Sequence, residues 1–162
     1  MIRVGVIGAA GRMGATVCNA VVADPGLELV AVVDSGAPGS TTHGLTISGE
    51  LRALADAQVD VAIDFTVAEA SRVNLPWLAM HSIHAVVGTT GFSQEDLDNF
   101  KKSFTNSNCL IAANFAIGAV LMMRFAEMAS PFFDTAEIIE IHHDGKADSP
   151  SGTAVATAQR MA

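Results

Sequence analysis

Short runs of apolar residues alternate with longer stretches of helical periodicity over most of the chain. Because the runs are continuously apolar rather than alternating, they are typical of parallel strands buried on both faces of a sheet. Strands are predicted at 2–7, 27–33, 59–65, 85–88 and 110–113, and the polar, glycine- and serine-rich stretch 35–48 is predicted to be a loop. Helices are predicted from the glycine turn after the first strand to about Ala23, near Leu51 to Asp56, and from Ile117 to about Met128. Another is predicted from Val67 to Met80, with a kink or interruption at Pro76. A capping box at Ser93 predicts a helix to about Phe104. Helices between such strands indicate a doubly wound, Rossmann-like α/β sheet.

The rhythm changes after about Asp134. Thr135 to His142 alternates and predicts a strand, a polar loop follows, and Ser151 opens another helix. A lone strand is not stable, so it must join the first sheet, pair with another chain or await further sequence. We expect a dinucleotide-binding domain over residues 1–130 and, over 131–162, the start of a second, α+β substrate domain. The last helix has no stop signal, so we expect an N-terminal portion of a longer protein.

Composition narrows the class of protein. Of 162 residues, 50% are hydrophobic and 16% charged, which predicts a folded domain, and the net charge of −8 argues against a nucleic-acid partner. The apolar runs are shorter than a membrane span and no leader precedes the first strand, so we predict a cytoplasmic protein without a membrane partner. Cys18 and Cys109 are predicted to be reduced packing residues. Trp77 and the Met122, Met123 and Met128 group are expected in the core.

Glycines mark the turn after the first strand, in the sequence Gly8-Ala9-Ala10-Gly11-Arg12-Met13-Gly14. Glycines at a strand-to-helix turn allow a pyrophosphate to approach backbone amides at a helix N-terminus. Asp34 ends the second strand, where a carboxylate can accept hydrogen bonds from ribose hydroxyls. That carboxylate would repel a 2′-phosphate, with Arg12 the nearest cation to offset it, so we predict that NADH is used at least as well as NADPH.

Three further strand ends are polar or rich in glycine. They are Asp64-Phe65-Thr66, Gly88-Thr89-Thr90-Gly91 and Asn114-Phe115. Open α/β sheets bind ligands at the carboxyl ends of their strands. Backbone amides and threonine hydroxyls of 88–90 would suit the ribose or carboxamide on the nicotinamide side.

Histidine, lysine and a helix start lie close together in the segment from Glu140 to Thr153. Adjacent residues of a strand face opposite ways, so His142 and His143 are not expected to chelate one metal, and no metal site is predicted. Glu140 would share a face with His142 and could orient its imidazole. Lys146 is a nearby cation, and Ser151-Gly152-Thr153 offers exposed amides and a hydroxyl to an anion. A proton donor beside cations suits a reduction that makes its substrate more negative.

Four motifs together resemble the dihydrodipicolinate reductase (4-hydroxy-tetrahydrodipicolinate reductase) family. They are the 8–14 turn, Gly88-Thr-Thr-Gly91, Asn114-Phe115-Ala116 and His142-His-Asp-Gly-Lys-Ala-Asp-Ser-Pro-Ser-Gly-Thr153, in that order along the chain. The last is highly specific, and the glycine turn alone is not. Where the family often has proline before the Asn-Phe pair, this chain has Ala113.

The resemblance implies an NADH- or NADPH-dependent oxidoreductase of lysine and diaminopimelate biosynthesis that reduces a cyclic dicarboxylate imine, 4-hydroxy-tetrahydrodipicolinate, to tetrahydrodipicolinate. It implies His142 as proton donor/acceptor, Lys146 as second donor, and His143, Gly152 and Thr153 as ligands of the substrate carboxylate. Cofactor contacts would fall on Gly8, Ala9, Ala10, Gly11, Arg12, Met13, Asp34, Gly88, Thr89, Thr90, Ala112, Ala113, Asn114 and Phe115. Full-length members of the family are longer, and the resemblance implies a homotetramer for them.

Two other functions stay open. One is a non-catalytic nucleotide-binding module, either a redox sensor or an inactive N-terminal fragment of such a reductase; it would not need His142 or Lys146. The other is a different small-acid dehydrogenase on the same sheet, against which the spacing of the two histidines and the lysine counts.

Overall fold

The chain forms two compact units, Met1–Ile111 and Ala112–Ala162, in a computed structural model that describes residues 1–142, 144 and 149–162. In chain order the first unit contains β1 (Ile2–Ile7), α1 (Arg12–Ala23), β2 (Leu27–Val33), β3 (Thr41–Thr42), β4 (Leu45–Thr46), α2 (Arg52–Asp56), β5 (Val61–Asp64), α3 (Ala68–Met80), β6 (His84–Val87), α4 (Gln94–Ser103) and β7 (Cys109–Ile111). The second contains α5 (Ile117–Ala129), a 3₁₀ turn at Ser130–Phe132 and α6 (Gly152–Met161). The predicted domain boundary at residue 130 stays a prediction.

Five parallel strands form the central sheet, in the order β2-β1-β5-β6-β7. The chain moves outward from β1 to β2 and then returns to β5 on the other side of β1, so the direction of winding reverses there. Such a switch point opens a crevice at the carboxyl ends of the strands. The predicted doubly wound, Rossmann-like sheet is confirmed.

An apolar cluster covers each face of the sheet because neighbouring side chains of a strand point to opposite faces. Leu54, Leu75 and Leu78 are fully buried in one cluster, and Val6 and Cys18 in the other. Burial of both faces explains why the strands are continuously apolar in sequence.

A local sequence signal explains the start of α4. Ser93 Oγ accepts the Asp96 amide at 3.1 Å while Asp96 accepts the Ser93 amide at 2.8 Å, so the predicted capping box opens α4. The helix α3 continues through Pro76 without the predicted interruption.

Part of the predicted loop 35–48 is a small hairpin of β3 and β4. His43 and Gly44, with φ of 48° and 78°, form the turn between these strands. Two successive left-handed residues match the twist of a hairpin, and Ile47, just after it, is buried in the core. The loop prediction missed this turn because histidine is an unusual residue at such a position.

The predicted strand at 135–142 is wrong. Residues 135–142 are irregular, and none of them pairs with another strand among the residues that the structure describes. Ile139 and Ile141 are 83% and 92% exposed. The alternation is real, but a strand exists only when its backbone groups have a ladder partner.

In the second unit, α5 packs against α6 and Glu127 joins them. Its carboxylate accepts from Arg124 and Arg160, each at 3.2 Å. Met123 is buried, whereas Met122 and Met128 are 51% and 70% exposed. The expectation of three core methionines is therefore wrong for two, because only one of them lies on the covered face of α5.

Candidate functional site

The glycine turn after β1 is shaped by two close backbone approaches. Gly8 has a φ of 80°, in the left-handed region that glycine adopts without strain. A Cβ on Gly14 would overlap the carbonyl oxygen of Gly8. The first turn of α1 can therefore lie directly on the turn that precedes it only because residue 14 has no side chain.

Most amides of this turn are already used within the protein. The N–H groups of Gly8 and Ala9 donate to the Val33 carbonyl at 2.8 and 3.2 Å, that of Ala10 to Asp34 at 3.0 Å, and that of Gly11 to the Gly8 carbonyl at 3.0 Å. The amides of Arg12, Met13 and Gly14, at the N-terminus of α1, donate no hydrogen bond within the described part of the chain. These three amides are therefore the ones available to a phosphate, aided by the helix dipole.

Asp34 joins the turn to the end of β2. Its Oδ2 accepts the Ala10 amide at 3.0 Å and its Oδ1 accepts the Gly36 amide at 2.9 Å. A carboxylate has about four lone-pair directions, so acceptor capacity remains for the hydroxyls of a ribose. Asp34 is half-buried, and it faces a cleft.

The cleft has a volume of about 330 Å³ and opens at the carboxyl edge of the sheet. It is lined by residues of the turn, the end of β2 and the segments after β4 and β5: Ile7, Gly8, Gly11, Val33, Asp34, Ser35, Gly49, Leu51, Phe65, Thr66, Val67, Ala70 and Asn74. Leu51, Val67 and Ala70 form an apolar wall suited to a flat base. Sequence reasoning missed these three. The sheet order could have found Val67 and Ala70, because the loop after β5 adjoins the loop after β1.

The segment after β6 lies against the loop after β5. A Cβ on Gly88 would overlap the ring of Phe65. The Thr89 hydroxyl is buried and donates to the Thr66 carbonyl at 3.1 Å. Gly88 and Thr90 are half-buried. The segment 88–90, a predicted cofactor contact, therefore has its central hydroxyl turned inward.

An ion pair holds the far end of that segment. Arg72 donates from Nε and Nη2 to the two carboxylate oxygens of Asp96 at 3.0 Å each, and Nη2 also reaches the Gly91 carbonyl at 3.4 Å. The Arg72 guanidinium, followed by donors from Ser93, lowers the pKa of Asp96 from 3.8 to about 2. The same contact raises the pKa of Arg72.

The second unit brings two predicted site residues together. Asn114 accepts the Ala116 amide at 2.8 Å and donates from Nδ2 to Thr153 Oγ1 at 3.2 Å. Thr153 and Gly152 lie in the first turn of α6, whose N-cap Ser151 accepts the Ala154 amide at 3.1 Å. A predicted cofactor contact and a predicted substrate contact therefore share one hydrogen bond.

Glu140 connects the predicted proton donor to the start of α6. Its Oε1 accepts the Ser151 amide at 2.8 Å, and its Oε2 lies 3.7 Å from His142 Nδ1. The expectation that Glu140 orients the His142 imidazole was based on a strand that residues 135–142 do not form, and it stays a prediction. His143 and Lys146 lie outside the described residues.

The remaining candidates are ordinary in their surroundings. Ala112 and Ala113 are half-buried and Phe115 is exposed. Burial raises the pKa of the Cys18 thiol, and raises that of Cys109 to about 11. Both cysteines pack against the core. Over residues 1–142, 144 and 149–162, the structure contains no cluster of three or more metal-ligating side chains and no helix with the length and apolar character to cross a bilayer.

Family models match both parts of the chain. Residues 2–115 match the N-terminal model of dihydrodipicolinate reductase, and residues 118–162 match the C-terminal model. The chain is 47% identical over 165 residues to 4-hydroxy-tetrahydrodipicolinate reductase of Cutibacterium acnes, covering 100% of this chain and 61% of that protein. It is 48% identical over 164 residues to the enzyme of the same name from Nocardia farcinica, covering 99% and 61%.

A solved structure supports the same likeness. The dipicolinate-bound dihydrodipicolinate reductase from Paenisporosarcina sp. TG-14 matches with a TM-score of 0.82 and 37% identity, over 100% of this chain and 66% of that one. The chain thus spans about three fifths of the length of the curated relatives it matches.

Proposed function

The chain belongs to the dihydrodipicolinate reductase family, and we propose that it forms the cofactor-binding part of a reductase acting on 4-hydroxy-tetrahydrodipicolinate. The product would be tetrahydrodipicolinate, in lysine and diaminopimelate biosynthesis. The observation that carries the proposal is the combination of three unused amides at the start of α1 with the Asp34 carboxylate beside the same cleft.

The residues present fit a nicotinamide dinucleotide. The amides of Arg12, Met13 and Gly14 would receive the pyrophosphate, and Asp34 would accept from the adenosine ribose. Leu51, Val67 and Ala70 would line the base. Of the predicted contacts, Gly8, Ala9, Ala10 and Gly11 would serve by shaping the turn, since their amides are used internally. Because Asp34 repels a 2′-phosphate, NADH would bind at least as well as NADPH.

Further predicted contacts would orient the nicotinamide side. Gly88, Thr89 and Thr90 follow β6, and Ala112, Ala113, Asn114 and Phe115 follow β7. The link from Asn114 to Thr153 supports a role for both residues in one site.

The bound cofactor would supply a hydride, which replaces the 4-hydroxyl group of the substrate while the ring C=N bond is kept. The departing hydroxyl needs a proton to leave as water, and for this proton we propose His142, oriented by Glu140. Lys146 would be a second donor, and His143, Gly152 and Thr153 would hold a substrate carboxylate. That a related structure is described as dipicolinate-bound supports a dicarboxylate ligand.

The same proposal extends to the assembly, location and partners of the full-length protein. The full-length protein would be a homotetramer in the cytoplasm that acts on a small dicarboxylate and has no membrane or nucleic-acid partner. The net charge of −8 supports the last point.

Lys146→Ala tests the catalytic assignment. NADH binding is measured by fluorescence titration, and NADH oxidation with the imine substrate by absorbance, using this chain and the full-length protein. Because the variant loses a proton donor and not a cofactor contact, turnover should fall at least about 100-fold with nearly unchanged NADH affinity. Lys102→Ala, on α4, is the matched control and should leave both unchanged. Equal loss of binding and turnover would refute the catalytic role.

Nucleotide binding without turnover is a second candidate function for this chain. The cleft beside Asp34 favours it, since all of its lining residues belong to the unit Met1–Ile111. In this case NADH binds, and the imine substrate causes no oxidation by this chain, while the full-length protein oxidises NADH.

A further inference from the structure

A polar cluster of five side chains, four of them buried, joins the end of β5 to the segment after β6. Its members are Asp64, Thr66, Ser71, Asn74 and Thr89. Asp64 and Ser71 are 0% exposed, Thr89 5% and Asn74 7%. Polar groups so deeply buried are costly unless they are paired, so their partners define a fixed arrangement.

The hydrogen bonds of this cluster centre on the Asp64 carboxylate. Asp64 accepts three hydrogen bonds, from the Thr66 amide at 2.9 Å, the Thr66 hydroxyl at 2.6 Å and the Asn74 side-chain amide at 2.9 Å. The Thr89 hydroxyl gives its proton to the Thr66 carbonyl at 3.1 Å.

Ser71 completes the chain of hydrogen bonds. Its hydroxyl lies 3.2 Å from both Thr66 Oγ1 and Thr89 Oγ1. Ser71 has a single hydroxyl proton, which it donates to Thr89 Oγ1, and it contacts Thr66 Oγ1 at the same distance. Hydrogen bonds therefore connect Asp64 to Thr89 without a break through Thr66 and Ser71.

We propose that Thr89 is a positioning residue and not a ligand contact through its hydroxyl. In this inference, which rests on the proposed function, the buried cluster fixes the segment Gly88–Gly91 so that its main chain receives the nicotinamide half of the dinucleotide.

The sheet order supports the assignment to that half. Asp34 ends β2, the phosphate turn follows β1, and β6 lies two strands beyond β1. Three inter-strand steps of about 4.8 Å put β6 roughly 14 Å from β2. A dinucleotide whose adenosine lies at Asp34 and whose phosphates lie at α1 therefore extends toward the segment after β6.

The experiment compares Thr89→Val, which removes the hydroxyl at nearly constant shape, with Thr89→Ser, which keeps it. Affinities for NADH and for AMP are measured by calorimetry on the same chain. AMP carries only the half of the ligand that binds near Asp34 and α1. Thr105→Val, at an exposed position before β7, is the matched control.

Thr89→Val should raise the Kd for NADH about tenfold, which corresponds to the loss of roughly one buried hydrogen bond that holds the segment in place. Its AMP affinity should stay within about twofold of the wild type, and Thr89→Ser should behave as the wild type. Ser71→Ala removes the hydrogen-bond donor to Thr89 without substituting a residue of Gly88–Gly91, and it should also raise the Kd for NADH. This variant tests the inference if Thr89→Val does not fold.

Three results would overturn the inference. They are unchanged NADH affinity in both Thr89→Val and Ser71→Ala, equal loss of NADH and AMP, or equal weakening by valine and serine at residue 89. If the wild-type chain binds neither ligand, the proposed function fails and the inference falls with it. Binding of AMP and NADH by the wild type separates the two cases.

Discussion

Asp34→Ala perturbs the cofactor site and the phosphate turn together. The substitution removes the two oxygens that accept the Ala10 and Gly36 amides at 3.0 and 2.9 Å. Hydrogen bonds to charged groups contribute about 1.5–3 kcal/mol each when buried. Because water can reach this half-buried site and replace part of the loss, we expect a decrease of about 1–2 kcal/mol in the free energy of unfolding.

The effect on nucleotide affinity should depend on the 2′ position. Loss of a charged acceptor for the ribose hydroxyls should make the binding free energy of NADH less favourable by about 2 kcal/mol, which is roughly a 30-fold increase in Kd. For NADPH, the same substitution also removes a charge that repels the 2′-phosphate, so its Kd should rise by no more than about threefold. The preference for NADH over NADPH should therefore shrink or reverse.

Calorimetric titration with both nucleotides checks this prediction, and urea denaturation gives the change in stability. Asp24→Ala is a matched control because Asp24 accepts the Gly26 amide two residues ahead at 2.8 Å, in the same local geometry as Asp34 and Gly36. Asp24 precedes β2 and is absent from the cleft lining. A larger loss for NADPH than for NADH, or equal losses in the two variants, would refute the ribose assignment.

Two further predictions concern the same edge of the sheet. Gly14→Ala places a Cβ on the Gly8 carbonyl oxygen, so the free energy of unfolding should fall by about 2 kcal/mol or more and NADH binding should be lost. The control, Gly118→Ala, has open space around its Cβ and should change neither quantity. Wild-type NADH affinity in Gly14→Ala would contradict the reasoning. Asp96→Asn should lower the Tm near neutral pH, because Arg72 holds the folded pKa of Asp96 at about 2, below its ordinary 3.8. A carboxylate with a depressed pKa stabilises the folded state at pH values above its ordinary pKa, and this stabilisation is lost as the pH falls toward about 2. The Tm difference between Asp96→Asn and the wild type should therefore vanish between about pH 4 and about pH 2. An undiminished Tm difference, or the same effect in Asp98→Asn, would exclude the Arg72–Asp96 ion pair as the cause.

Hydrophobic periodicity was sufficient for most of the fold. The strands Ile2–Ile7 and Leu27–Val33 were predicted to the residue, and β5 proved shorter than its predicted run of 59–65. These elements are predictable because each is buried on two faces, which leaves a continuous apolar signal. The segment 135–142 carries an equally clear alternating signal, yet it is not a strand. Pairing depends on a partner strand, which local sequence does not specify.

The candidate site divides in the same way. Its motifs were recognisable because the glycines and Asp34 lie at strand and helix ends, where the chain order alone places them, and because the order of residues in 142–153 is highly specific. The roles of individual backbone and side-chain groups were not recognisable from the motifs. The resemblance implied cofactor contacts at every residue from Gly8 to Met13, whereas Val33, Asp34 and Gly8 already use the amides of residues 8–11. It likewise offered the Thr89 hydroxyl to the cofactor, whereas this hydroxyl is buried against Thr66.

The amino-acid sequence by itself therefore determined the sheet, its winding and the family, because burial patterns and motif spacing are properties of the chain in one dimension. Only the tertiary structure decided which amides remain for a ligand, which residues line the cleft beside Asp34, and which acceptors the Ser71 and Thr89 hydroxyls use. Each of these depends on groups far apart in sequence competing for the same hydrogen bond or the same space, and that competition exists only once the chain has folded.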